Sequence, residues 1–212
     1  MDASAMDARS DRLRVRERRR PEPSLRSLPL IAIATLVSLT MALVASTAQP
    51  PVILVGDSVT AGWGASDARH AWPSLLGAPA RIDAAPGAPS GAFVGRSWRA
   101  ETVVVELGIN DYVQGVAPDV FGGRMREIVT HISAGRVVLI VPYEVALHGA
   151  APWDAYADQL LALARSDPRV VLVDLRPAFG RVGMDLLTPD LVHPNDRGHA
   201  VIANLVAQAI AG

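Results

Sequence analysis

The chain has 212 residues, half of them hydrophobic, with no cysteine and a formal net charge of −1. That length fits one domain with a sizeable core once an unusual N-terminus is set aside, and the missing cysteines exclude disulfides, thiolate metal sites and a cysteine nucleophile. Residues 1–48 hold eight arginines against five acids, and the remainder holds twelve against sixteen, so the basic character does not belong to the folded part and no nucleic-acid partner is expected.

The first predicted element is a leader. Arg9 to Arg20 is arginine-dense, and Leu28 to Ala45 carries no charge and is apolar or small apart from Pro29, Ser38 and Thr40. Ser46-Thr47-Ala48 and the pair Pro50-Pro51 follow. This is the order of a positive n-region, an apolar h-region and a small-residue cleavage site, with Ser46 and Ala48 at the two small positions if cleavage follows Ala48. The apolar run also approaches the ~18 residues at which a segment qualifies as a spanning helix, with arginines that would keep its start in the cytoplasm. A cleaved signal peptide and a retained anchor are both compatible with these residues. Either delivers the domain, residues 49–212, to the far side of the membrane, where it is secreted, periplasmic or held on the outer face of the cytoplasmic membrane.

Within the domain, Val52-Ile53-Leu54-Val55 is a continuous apolar run ending at Gly56. Arg81-Ile82-Asp83-Ala84 is a weaker run suited to an edge strand, and Ala84 to Gly95 reads as a loop. Thr102 to Leu107, Val137 to Val141 and Val170 to Val173 are further β-branched runs. Between and after them lie helical patterns over Pro118 to Ile132, Pro152 to Ser166 and Asp196 to Ala211, the last with a stripe at Val201, Ile202, Leu205, Val206 and Ile210. Strands apolar on both faces and alternating with helices predict an α/β fold, a three-layer α/β/α sandwich around a mostly parallel sheet of about five strands. In such a sheet functional residues gather at the carboxyl ends of the strands.

Three segments fall at those ends or just before the last helix: Gly56-Asp57-Ser58, Gly108 to Asp111, and Asp190 to His193. They supply a hydroxyl able to attack, an amide able to hold an oxyanion, and an imidazole with its own carboxylate. Ser58, after a strand and at a predicted helix start, has its own N–H placed to face a developing oxyanion, although a plain N-cap would use the same position. His193 is set apart from His70, His131, His148 and His199 by lying, with Asp190 three residues earlier, in a segment punctuated by Pro189 and Pro194. His199 is expected to pack or cap, Asp196 to cap the last helix, and Asp111 to brace its loop. No Gly-x-Ser-x-Gly elbow occurs, which disfavours an ordinary α/β-hydrolase. No His-Glu-x-x-His or phosphate-cradling glycine pattern occurs either, so no metal and no cofactor are expected.

These blocks resemble the SGNH hydrolases, the GDSL-type esterase/lipase family, from about Val52 to the C-terminus. Ala71-Trp72-Pro73, His193-Pro194-Asn195 and Gly198-His199 are similar to its thioesterase I/lysophospholipase branch. The resemblance implies a flavodoxin-like fold, Ser58 as nucleophile, Asp190 and His193 as acid and base, and an oxyanion hole from Ser58, Asn110 and a loop glycine. Gly91, in Ser90-Gly91, is the better match for that glycine and Gly87 is its rival; the asparagine common upstream is replaced by Asp83-Ala84-Ala85. The implied activity is hydrolysis of small-molecule, lipid or glycan esters through an acyl-enzyme. The alternatives are a carbohydrate O-acetyl esterase and a membrane-tethered binding module without turnover. Tyr112, Val113, Tyr143 and Trp153 are candidates for an acyl groove. A monomer is expected, with membrane contact only through the apolar segment if it is retained.

Overall fold

The structure, a computed structural model, describes residues 51–147, 149 and 151–212. The predicted leader and His148 lie outside these residues. The domain begins with β1 (Val52–Gly56), every residue of which is buried, as its unbroken apolar sequence requires. A short helix α1 (Trp72–Leu75) and the edge strand β2 (Ala80–Ala84) follow; β2 is largely exposed, which explains its mixed sequence. Then come β3 (Trp98–Arg99), β4 (Thr102–Glu106), α2 (Ile109–Val113), α3 (Pro118–Thr130), β5 (Ile132–Ser133) and β6 (Arg136–Val141). The chain ends with α4 (Trp153–Ser166), β7 (Val170–Asp174), α5 (Arg176–Val182) and α6 (Asp196–Ala211).

Five strands form one sheet in the order β2-β1-β4-β6-β7, and every pairing in it is parallel. Taken in chain order this is the 2-1-3-4-5 arrangement of a doubly wound sheet, whose direction of winding reverses between β1 and β4. β4 is fully buried and β6 nearly so, because helices cover both faces. On one side α3 packs on α4, and elsewhere α6 packs on α1, β6 and β7. Their buried faces, including Phe121, Met125, Ile128, Tyr156, Leu160, Ile202 and Val206, join the strands in one core.

The predicted strands and the three long helices are present, with ends shifted by one or two residues, whereas no regular helix follows Ser58. The short helices α1, α2 and α5 were not expected, nor were two further features. β3 and β5 form a separate two-stranded parallel ribbon, Trp98 opposite Ile132, and the 84–95 loop contains a 3₁₀ turn at Ser90–Ala92. Among the described residues no helix is long and apolar enough to cross a membrane.

Candidate active site

Ser58 does not open a regular helix. β1 runs instead into a coil of tight turns, in which Ala61 N–H donates to the Asp57 carbonyl and Trp63 N–H to the Ser58 carbonyl. The Asp57 side chain steadies the first turn by accepting from Val59 N–H at 3.0 Å. Ser58 is 7 % exposed, and its Oγ lies 2.9 Å from Nε2 of His193, a residue 135 positions away. His193 Nδ1 lies 2.7 Å from Asp190 Oδ2.

The turn carrying Asp190 and His193 is held by the carboxylate itself. Asp190 Oδ1 accepts from the Thr188 hydroxyl at 2.7 Å and from the Val192 and His193 N–H groups at 2.9 Å. Leu191, between them, adopts φ 59°, a left-handed conformation that costs a branched residue energy and is kept only where its surroundings over-determine it. Here the clamps include the Thr188 N–H bond to the His193 carbonyl and the bridge between Leu187 and Pro194. Burial opposes the charge of Asp190, but the bonds from the His193 ring, its N–H, Thr188 and Val192 outweigh burial and hold the carboxyl well below its ordinary value. The carboxylate is thus ionised, as a partner to an imidazole must be.

At the other side of the switch between β1 and β4, Gly108 turns the chain at φ 133°, where a Cβ would press on Phe121. This sets Asn110 and Asp111 at the start of α2. Asn110 Nδ2 donates to Asp57 Oδ2 at 2.8 Å, so one amide hydrogen ties the second segment to the first and its other hydrogen is left to point elsewhere. Asp111, fully buried, accepts from Ser90 N–H at 2.7 Å and from Ser90 Oγ at 2.6 Å, and Arg124 lies 3.4 Å from it. It braces the loop as expected, and what it braces is the Ser90-Gly91 turn. Gly87 instead uses its carbonyl to accept from Gln114 Nε2 at 2.9 Å.

A family model for the GDSL-like lipases and acylhydrolases matches residues 54–201. The chain belongs to that family. It is an SGNH-type carboxylic ester hydrolase. No curated relative matches it. The solved structures similar to it include a member of the lipolytic G-D-S-L family from Veillonella parvula DSM 2008, 17 % identical with a TM-score of 0.62 over 76 % of this chain and 97 % of that one. The psychrotrophic esterase EstA from Pseudoalteromonas sp. is 18 % identical, TM-score 0.60, over 76 % and 97 % of the two chains. A two-domain esterase active on acetylated mannans is 19 % identical, TM-score 0.58, over 82 % of this chain and 52 % of that one. At such identities these likenesses establish the shared fold.

Several residues that shape this hydrolase's site escaped sequence reasoning. Asp196 does not cap α6; Asn195 does, accepting from the Arg197 and Gly198 N–H groups while its amide donates to the carbonyls of Asp185 and Leu187. Asp196 reaches across to Ser66, taking its N–H at 2.7 Å and its hydroxyl at 2.8 Å. The Ser58 coil is therefore tied at its far end to the segment bearing His193. Gly64 permits the approach: at φ 92° a Cβ there would collide with the Pro194 carbonyl and lie 2.9 Å from His193 Cβ. Trp63, 54 % exposed, stands beside the His193 ring at 5.4 Å between centroids. Glu106, an acid at the end of an apolar strand run, is buried beneath the site. That charge within an apolar run was the available signal.

His199 packs, as predicted, and with both ring nitrogens engaged. Trp72 N–H donates to Nδ1 at 3.3 Å, and Nε2 lies 3.0 Å from the Trp63 carbonyl, so the neutral Nε2–H tautomer satisfies both. Burial lowers its pKa against a weaker upward pull from the Trp63 carbonyl. The unfolded chain takes up a proton below about pH 6.5 while the folded one resists it, so the stability this ring contributes is whole above that pH and is lost as pH falls towards the folded value. The loss is at most about 1.4 kcal/mol per pH unit. Denaturant midpoints between about pH 7.5 and 5 should therefore fall less steeply in His199→Gln than in wild type; parallel slopes would assign the acid sensitivity elsewhere.

Proposed function

We propose that this protein is an exported serine hydrolase that cleaves carboxylic esters through a Ser58-His193-Asp190 triad and an acyl-enzyme. The observation that carries the reading is the unbroken line from Ser58 Oγ through His193 to Asp190, at 2.9 Å and 2.7 Å. His193 Nε2 takes the hydroxyl proton as Ser58 Oγ attacks the carbonyl carbon, and the ionised Asp190 holds the ring's orientation and offsets its new charge. The oxyanion is received by the N–H groups of Ser58 and Gly91 and by the free amide hydrogen of Asn110. Gly91 is preferred to Gly87 because Asp111 fixes its neighbour Ser90 from the residue adjoining Asn110. The tetrahedral intermediate collapses as His193 protonates the leaving alcohol. A water deprotonated by His193 then attacks the acyl-enzyme, and the acid leaves with Ser58 restored.

A cavity of about 590 Å³, lined in part by Tyr143, Val145, Trp153, Phe179 and Leu191 and, at its polar side, by Asp154, Asp174 and Arg176, borders the triad turn. Tyr143 joins cavity and turn, its hydroxyl donating to the Val192 carbonyl at 2.6 Å. Of the four residues considered for an acyl groove, Tyr143 and Trp153 line this cavity; Tyr112 packs edge-on against Trp153 and Tyr156, and Val113 is partly exposed. We assign the substrate's hydrocarbon chain to the cavity. Val145→Trp should then shift the preferred p-nitrophenyl ester towards acetate, lowering kcat/KM for long chains by about tenfold or more, as the loss of one or two buried methylenes' contacts would. An unchanged chain-length profile would remove the cavity from the substrate's path.

A second reading is favoured by Trp63. It flanks the histidine that serves the leaving group, and an exposed indole there is a platform for a sugar ring. The similarity to an esterase active on acetylated mannans points the same way. Wild-type chain assayed on p-nitrophenyl acetate to palmitate and, in parallel, on acetylated xylan and mannan separates the readings. Turnover on the ester series supports the esterase; turnover on the glycans alone makes it an O-acetyl esterase. No turnover and no labelling of Ser58 by a fluorophosphonate from folded protein makes it a binding module.

A further inference from the structure

The triad and its oxyanion donors leave two buried carboxyl groups without a role. Asp57, next to the nucleophile, and Glu106, opposite Gly56 in the pairing of β1 with β4, are each 1 % exposed and close enough that the charge of one acts on the other. Among the ion pairs of the described residues none includes either acid. The other titratable groups facing them are Tyr143, beyond the end of β6, and His193. Two adjacent carboxylates cannot both stay ionised in so dry a place, and such a pair holds one proton.

The oxygens say where that proton sits. Asp57 Oδ1 accepts from Val59 N–H and Oδ2 from Asn110 Nδ2, donors that work against the upward push of burial on its carboxyl. Glu106 Oε2 accepts from the Thr60 hydroxyl at 3.0 Å, its buried Oε1 has no hydrogen-bond partner among the described residues, and the pull of the Thr60 hydroxyl and of the Asp57 N–H on the charged form is weaker than the push of burial and of the Asp57 charge. An oxygen with no donor is costly as an acceptor and satisfied as a donor, and a protonated carboxyl has one O–H to give. Burial, and then the charge of Asp57, both push the Glu106 carboxyl well above its ordinary value.

We propose that Glu106 stays protonated and donates to Asp57, which remains a carboxylate and so fixes which way round the Asn110 amide faces. This rests on the reading in which Asn110 serves the oxyanion. An ionised Asp57 accepts only, so Asn110 must turn its NH₂ towards it and keeps a second N–H for the substrate. A proton on Asp57 would let it donate to the Asn110 carbonyl oxygen. The amide could then turn over, and an acceptor would face the oxyanion in place of a donor. Glu106 is thus a positioning residue, acting on the reaction through Asp57 and Asn110.

The test uses the full chain as wild type, Glu106→Gln and Glu106→Leu. At neutral pH the infrared spectrum of wild type should contain the C=O stretch of a buried protonated carboxyl. That band should shift when glutamate is ¹³C-labelled at its carboxyl, not when aspartate is, and vanish in Glu106→Gln. Glu106→Leu should lower kcat by about tenfold or more with KM little moved, within the ~10²–10³ that loss of an oxyanion donor costs, and Glu106→Gln, which can both donate to Asp57 and accept from Thr60, should recover most of it. A missing band, or one that follows aspartate, overturns the proton's placement. A Leu variant with wild-type kcat, or a Gln variant as impaired as Leu, overturns the positioning role. Should Glu106→Leu fail to fold, the labelled spectra and Glu106→Gln kinetics still decide. A folded wild type with the band but without ester turnover overturns the link to Asn110 and the esterase reading, leaving the proton where it is placed.

Discussion

Ser58→Ala is expected to lower kcat for any ester the wild type cleaves by about 10⁴-fold or more, with the fold unchanged. Among the described residues the Ser58 hydroxyl has one side-chain partner, Nε2 of His193, and its carbonyl and the surrounding turns do not depend on it. Removing one oxygen leaves the coil closed by Asp57 and by Ser66 on Asp196, so the denaturation midpoint should move by about 1 kcal/mol at most, the net worth of one hydrogen bond. An unchanged denaturation midpoint in a variant that no longer turns over distinguishes a missing nucleophile from a misfolded chain. His193→Ala should lose as much activity as Ser58→Ala, and the double variant little more, because the two act as a unit. Labelling of Ser58 that persisted in His193→Ala would sink the assignment of the base.

Asn110→Ala is expected to lower kcat by about 10²–10³-fold, which is ~2.7–4 kcal/mol of lost transition-state stabilisation. It carries a second effect that a pure oxyanion donor would not. Its amide and the Val59 N–H both donate to Asp57, so truncation leaves a buried carboxylate oxygen without its N–H and should also cost about 1–3 kcal/mol of stability. Asn110→Asp should be worse on both counts, since it sets a further carboxylate beside the Asp57–Glu106 pair. Kinetics with phosphonate-titrated active sites separate the two losses. Near-normal turnover in Asn110→Ala would leave the oxyanion to the backbone N–H groups of Ser58 and Gly91.

How much of this was readable from residues alone depended on the range of the interaction. The strands were legible because a strand covered on both faces must be apolar throughout, and the runs at Val52, Val103, Val137 and Val170 are. The edge strand was legible for the complementary reason: Arg81 and Asp83 tolerate a strand exposed to water. Asp190 and His193 could be paired because they are three residues apart between prolines, so a single turn brings them together whatever the rest of the fold does. Asp111 was rightly given a bracing role, but its partner Ser90 lies on another loop.

Where reading the chain failed, the deciding contact crossed the sequence. An N-cap reading of Asp196 is sound local physics, yet Ser66, 130 positions away, claims its carboxylate and leaves the cap to Asn195. The coil after Ser58 lacks regular helical form because it must close against Pro194 at Gly64 and against Asp196, constraints that no local propensity contains. Glu106 stood as a solitary acid in an apolar run, and only the pairing of β1 with β4 supplied the Asp57 that gives its proton a purpose.

The sequence by itself thus determined the layered fold and the family and singled out the candidate reacting groups, since hydrophobic periodicity and short-range turn chemistry are encoded within a few residues of one another. The tertiary structure alone decided which groups face one another: Ser58 to His193, Asn110 to Asp57, Ser90 to Asp111, Ser66 to Asp196. Those meetings depend on the strand order, which places the ends of β1 and β4 side by side, and strand order is a property of how the whole core packs rather than of any segment within it.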